Sequence, residues 1–173
     1  MNYTTSLDWI SKGVTIMITF LFATIFISAF GFFWMPGANV GPGALPFISA
    51  ALIGAYVFCM ALWPRGYAVS KEVLTIHRLI GNRVIALKDI KAAFFVKPEE
   101  LRWSLRTFGS GGLFGYFGKF YNTKYGDMTW YATRVSHFIM VELKDGSHLV
   151  LTPDQDGLDS AIMTQLPGAP GVE

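Results

Sequence analysis

Between Lys12 and Arg65 the chain has no Asp, Glu, Lys or Arg, so Gly13 to Pro64 forms a run of 52 uncharged residues. Most of that run is apolar, and a chain of 173 residues has too little left over to wrap it in a soluble core. Composition agrees: 52% of residues are hydrophobic and 15% are charged, against about 25% charged in an average soluble chain. A soluble globular protein is thereby excluded. A cleaved leader fits poorly, because such a segment has a basic start and an apolar core of about 7 to 15 residues. Here Asp8 and Lys12 precede a much longer run. The single cysteine, Cys59, lies inside it, which excludes an internal disulfide and a Cys-based zinc site.

Pro36-Gly37-Ala38-Asn39-Val40-Gly41-Pro42 divides the run, a cluster of turn formers that interrupts any helix. The flanking stretches, about 14–35 and 43–63, each reach about 30 Å at 1.5 Å per residue, the thickness of a hydrocarbon core. Lipid cannot hydrogen-bond a bare backbone, so the expectation is a membrane-spanning α-helical hairpin. Lys12 precedes the first span, and Arg65, Lys71, Arg78 and Arg83 follow the second, while the linker has no basic residue. The positive-inside tendency then places both termini in the cytoplasm. Trp9, Trp63 and Tyr67 fall where the inner interface should be and Trp34 where the outer one should be. The expected organisation is a cytoplasmic segment 1–12, the hairpin 13–64, a polar domain 65–166 and a flexible tail 167–173.

Past Pro64 the pattern shortens to alternating strands. Ile139, Val141 and Leu143 alternate with Phe138, Met140 and Glu142; Asp145-Gly146 makes a two-residue turn, and His148 to Leu151 returns. Similar pairs are read at Val73 to Arg78 with Arg83 to Leu87 across Gly81-Asn82, and at Phe117 to Lys124 with Met128 to Thr133 across Gly126-Asp127. Ile90 to Lys97 is a further strand. Thr152-Pro153-Asp154-Gln155 predicts a helix over about 154–166, with Thr152 as N-cap and Gln155 closing a capping box. Leu158, Ile162 and Leu166 form its apolar stripe before Pro167 stops it. The expected fold class is a membrane α-helical hairpin plus a mainly-β barrel or sandwich closed by one C-terminal helix.

Several segments resemble one family. They are Tyr67-Ala68-Val69-Ser70 leading into Leu74-Thr75-Ile76, Ile85-Ala86-Leu87-Lys88-Asp89-Ile90, Arg106 before the glycines that end at Gly115-Tyr116-Phe117-Gly118, and Leu149-Val150-Leu151-Thr152-Pro153-Asp154. Together, over roughly 65–166, they are similar to the bacterial pleckstrin-homology-like (PH-like) domains of small membrane proteins. The resemblance implies a seven-stranded, strongly bent sheet closed by a C-terminal helix, frequently after two transmembrane helices, at the bacterial inner membrane. Eukaryotic relatives in fold often bind inositide headgroups through a basic first hairpin loop. Here the corresponding turn, Gly81-Asn82-Arg83, has Arg78 and Arg83 but no dense basic cluster.

Gly109, Gly112, Gly115 and Gly118 recur every third residue among Phe108, Phe114, Tyr116, Phe117, Phe120 and Tyr121. The spacing fits neither a Walker loop, since Leu113 stands where the first glycine belongs, nor the dinucleotide pattern. Two readings stay open: an aromatic loop laid against the bilayer or a neighbouring subunit, or glycines permitting a tight bend while the rings fill the domain's own core. Charge is polarised too, with 11 basic and 4 acidic residues from Arg65 to Lys124 but 2 basic and 7 acidic from Tyr125 to Glu173. Either the basic half faces anionic lipid, or the halves meet within or between subunits. The candidate contact residues are Lys97, Arg102, Arg106, Phe114, Tyr116, Phe117, Lys119 and Lys124. A net charge of +2 gives no argument for nucleic acid.

His77, His137 and His148 have no metal-ligand spacing, Glu99-Glu100 reads as a solvated turn after Pro98, and Ser110 lacks a nucleophile motif. No catalytic residue, metal or cofactor is expected. The function expected is a non-enzymatic membrane-anchored module that binds or scaffolds at the inner membrane surface. Its partners would be membrane lipids, copies of itself or another membrane protein, with an accessory subunit of a transport or envelope complex, or an anionic-lipid-binding domain, as the alternative.

Overall fold

The computed structural model describes residues 1–33 and 44–166, and side chains outside 29–46. The turn cluster at 36–42, Trp34 and the tail 167–173 lie outside the described residues. Chain order begins with a three-residue strand, β1 (Asn2–Thr4), before two helices, α1 (Trp9–Phe33) and α2 (Ala44–Ala61). Strands β2 (Pro64–Val69), β3 (Val73–Arg78) and β4 (Arg83–Ala86) follow, then β5 (Ile90–Val96) and a single helical turn, α3 (Pro98–Leu101). Next come β6 (Leu105–Gly112), β7 (Gly115–Asn122), β8 (Gly126–Ala132), β9 (Phe138–Leu143), β10 (His148–Leu151) and α4 (Leu158–Gln165).

Two sheets form, in the orders β1-β2-β3-β4 and β5-β9-β10-β8-β7-β6, and within them only β10 with β8 runs parallel. That makes ten strands among the described residues, three more than the family resemblance implies. The alternation read in β9 holds, yet both of its sets are buried. Ile139 and Val141 join a core with Tyr67, Leu74, Ile76, Leu151, Leu158 and Ile162, packed between the first sheet, one face of the second and α4. Phe138 and Met140 join a second core on the opposite face with Val96, Leu101, Phe120, Met128 and Trp130. The mainly-β sandwich with a C-terminal helix is therefore present, and one of its sheets is covered on both sides.

Segment 1–12 is not a free leader. β1 pairs with β2, placing Tyr3 opposite Tyr67, and the Met1 ammonium donates to the Val69 carbonyl at 2.7 Å. Asp8 then caps α1: its Oδ1 accepts from the Ser11 N–H at 2.7 Å while its Oδ2 accepts from the Val135 N–H at 3.3 Å. The first turn of α1 is thus tied directly to the β domain. An edge-pairing strand of three residues has no periodicity to read, which is why the sequence pattern missed it.

Three local expectations need correcting. α4 begins at Leu158 with Gly157 as N-cap, because the side chains assigned to capping are used elsewhere. Thr152 Oγ1 accepts from the Thr133 N–H at 2.8 Å, and Gln155 Oε1 accepts from the Thr4 N–H at 2.9 Å. The β9–β10 turn has three residues, since the Leu143 N–H bonds the Ser147 carbonyl at 2.9 Å and Gly146 supplies the left-handed position at φ +85°. Likewise β7 and β8 turn at 123–125, because Asn122 pairs with Gly126.

Of the two expected spans, one is met by a stretch that is long and apolar enough to cross a membrane, Trp9–Ser28 within α1; the apolar part of α2, Phe47–Ala61, is shorter. Both helices show apolar side chains outward, including Ile16, Phe20 and Ile27 on α1 and Phe47, Leu52 and Phe58 on α2. They touch each other where the Thr19 and Tyr56 hydroxyls meet at 2.8 Å and where the rings of Phe22 and Tyr56 lie 5.3 Å apart.

Candidate functional site

The glycine and aromatic segment is neither a loop nor a simple bend. It is the β6–β7 hairpin, and its glycines allow two backbones to cross closely. Gly109 and Gly118 face each other at φ +113° and +117°; a methyl group on either would lie 2.1 Å from the Phe117 carbonyl oxygen or 2.3 Å from that of Phe108. The turn, Leu113-Phe114, pushes between the two helices. The Phe114 N–H donates to Thr15 Oγ1 of α1 at 3.0 Å, and its ring lies 5.3 Å from Tyr56 and 5.6 Å from Trp63. Phe114 sits at φ +58°, a costly conformation for a non-glycine residue, held here by these contacts. Phe117 is buried as well and borders a cavity of about 280 Å³ between α2 and the sheet. Two of the three aromatic candidates therefore serve the contact between domain and helices within one chain.

The basic candidates separate in the same way. Lys124 forms an ion pair with Glu100, which also accepts from the Tyr125 hydroxyl at 2.6 Å. The Lys124 ammonium and the Tyr125 hydroxyl hold the Glu100 carboxyl below its ordinary range, and Glu100 in turn raises Lys124. Glu100 is thus an ion-pair partner on α3 and not a solvated turn. Basic and acidic halves meet directly where Lys91 pairs with Glu142 at 2.6 Å, while Arg134 pairs with Asp154 inside the acidic half. His137 has a carboxylate neighbour that its spacing did not reveal, Asp156 at 2.8 Å. Lys97 sits at the N-cap of α3 and Lys119 on β7, both exposed.

Arg102, Arg106 and Tyr116 converge. They line a cavity of about 640 Å³ on the outer face of the second sheet, walled also by Phe120, Trp130, Val135 and Phe138 and roofed by α3 through Leu101. Trp130 stacks on Phe120 with centroids 4.4 Å apart and lies 5.3 Å from Phe138. Its indole N–H is buried and has no hydrogen-bond partner among the described residues. Arg106 is exposed beside Gly111, and Arg102 lies 5.6 Å over the Trp103 ring. Burial pushes the Tyr116 phenol above its ordinary range. A volume within the usual span for small-molecule pockets, aromatic walls and a few donors suit the binding of a small molecule. Trp130, Phe120, Val135 and Phe138 were legible only as strand or turn residues; what joins them is the curl of β6, β7 and β8 around α3.

Residues 65–164 match the bacterial PH domain family. The chain belongs to that family. PH domains are in general non-catalytic modules. No curated protein and no solved structure matches the chain. The match begins at β2, so β1 and both helices lie outside it, while β6, β7 and α3 lie within.

Proposed function

We propose that this bacterial PH domain is a non-enzymatic binding module of the inner membrane, anchored by both α1 and α2 and held on the cytoplasmic leaflet. The pairing of β1 with β2 carries this reading. The chain leaves the first sheet at Thr4 and rejoins it at Pro64, so if α1 crosses the bilayer the chain must cross again to return. At 1.5 Å per residue the 18 residues of α2 reach about 27 Å, enough for a thin or locally thinned core. Outward apolar side chains on both helices favour lipid as their surroundings, and the basic flank at Lys12 and Arg65 favours the cytoplasm for the sheets. Alkaline carbonate extraction tests it: the full chain stays with the membrane pellet, and recovery in the supernatant overturns the reading.

Self-association is a second reading, supported by β6. That strand is the outer edge of its sheet and carries Leu105 and Phe108 exposed, next to an exposed Trp103. An exposed apolar edge can pair with a second copy. Native mass spectrometry in mild detergent shows a dimer or higher species if copies associate this way, and a monomer at all concentrations removes the idea.

A further inference from the structure

We infer that the cavity under α3 binds one anionic amphiphile, a carboxylate on an apolar chain drawn from the adjacent leaflet. The inference rests on the membrane-surface reading above. Three observations lead to it. The chemistry of the lining is asymmetric: Arg102 and Arg106 bring two guanidinium groups with no acidic partner among the described residues, facing a single carboxylate on the lining, Glu99. A planar guanidinium matches a carboxylate in bidentate fashion, so the unmatched charge selects an anion. The remaining wall is apolar and aromatic, with Tyr116, Phe120, Trp130 and Phe138, which selects a ligand with an apolar body.

The second observation is Trp130, a wall residue of the cavity that is buried to 4% exposure, with an indole N–H that has no partner among the described residues. A ligand oxygen reaches this buried donor only where the cavity wall shifts, and would then supply the acceptor it lacks. The third is position. Val135 lines the cavity, and its N–H is bonded to Asp8, the residue that caps the first turn of α1. That turn holds Trp9, 81% exposed, and leads into Lys12, so one wall of the cavity adjoins the point where α1 enters the apolar layer. A free anion in the cytosol would gain from the arginines but not from the aromatic wall; a zwitterionic lipid would gain from the wall while its own cation opposed the arginines. An anionic amphiphile uses both. The site lies on the second sheet, away from the Gly81-Asn82 turn of the first.

The test uses the full-length chain, stripped of lipid in a neutral detergent, with oleate, lysophosphatidylcholine and inorganic phosphate as probes in native mass spectrometry. One oleate is retained per chain, with neither of the other two retained. Arg106→Gln weakens oleate binding about tenfold, the worth of one charge-assisted hydrogen bond. Val135→Trp, which fills the cavity without touching a charge, abolishes it. Equal retention of lysophosphatidylcholine, retention of phosphate as tight as oleate, or indifference to both substitutions overturns the inference. Carbonate extraction of the unsubstituted chain separates the two ideas. A failed cavity leaves the unsubstituted chain in the membrane pellet, whereas a failed membrane reading moves it to the supernatant.

Discussion

Tyr67 shows how a single hydroxyl joins the two sheets. It is wholly buried; its O–H donates to the Tyr131 carbonyl of β8 and accepts from the Thr152 N–H at 3.1 Å. Burial first, offset in part by Thr152, pushes its pKa up to about 12. The unfolded phenol ionises near pH 10 and the folded one resists until about 12, so stability is whole below pH 10 and declines as pH rises between those values. The loss reaches about 2–3 kcal/mol. Tyr67→Phe removes that alkaline decline and costs about 1–3 kcal/mol at neutral pH by leaving the two backbone groups unpaired; thermal unfolding followed from pH 8 to 12 measures both. Gly109 offers a second test at this scale. Gly109→Ala adds a methyl group against the Phe117 carbonyl at a positive φ and lowers stability by about 2 kcal/mol or more, whereas Gly126→Ala, with open space at its Cβ position, loses less. Circular-dichroism melts of the two variants make the comparison.

Among the elements, the β6–β7 hairpin couples the domain to its helices. Phe114 is 6% exposed between Tyr56 and Trp63, so Phe114→Ala opens a cavity at that junction and costs about 3 kcal/mol. Limited proteolysis in detergent reads it as faster cleavage in β6–β7 with the rest of the second sheet still protected. The sequence showed the elements whose residues repeat at a fixed period. β3, β4 and β9 with β10 were readable because apolar positions alternate about a Gly-containing turn, and α4 because Leu158 and Ile162 share a face. The hairpin was not. Gly109 and Gly118 explain themselves only once their strands are seen to cross, and nothing local tells a ring in a core from a ring in a wedge. The start of α4 was misplaced for a similar reason: Thr152 and Gln155 suit a cap, but long-range partners at Thr133 and Thr4 hold their side chains. Arg102 and Arg106 could be picked out as basic contact candidates, while the aromatic half of their cavity comes from β7, β8 and β9, ten or more residues further on.

At the scale of the whole molecule, every part follows from one arrangement. A run of 52 uncharged residues is inserted between two neighbouring strands of a single sheet, so the two helices and the PH domain share a base at β1 and β2. Asp8 at the start of α1, the Ala61 carbonyl that accepts from the Ile80 N–H at 2.9 Å near the end of α2, and Phe114 between the helices fix the domain to the two helices at three points. If the helices cross the bilayer as proposed, a domain so held presents one face to the leaflet, and that face includes the cavity under α3. The most direct test replaces Cys59 with Ser and introduces Ser6→Cys or Asp156→Cys, two exposed positions at opposite ends of the chain that the fold brings to the same side of the anchor. A membrane-impermeant maleimide applied to intact spheroplasts should leave both unlabelled, and both should react in inside-out vesicles. Labelling of one cysteine alone in intact spheroplasts would contradict the double crossing, and labelling of both would contradict the cytoplasmic placement, on which the account depends.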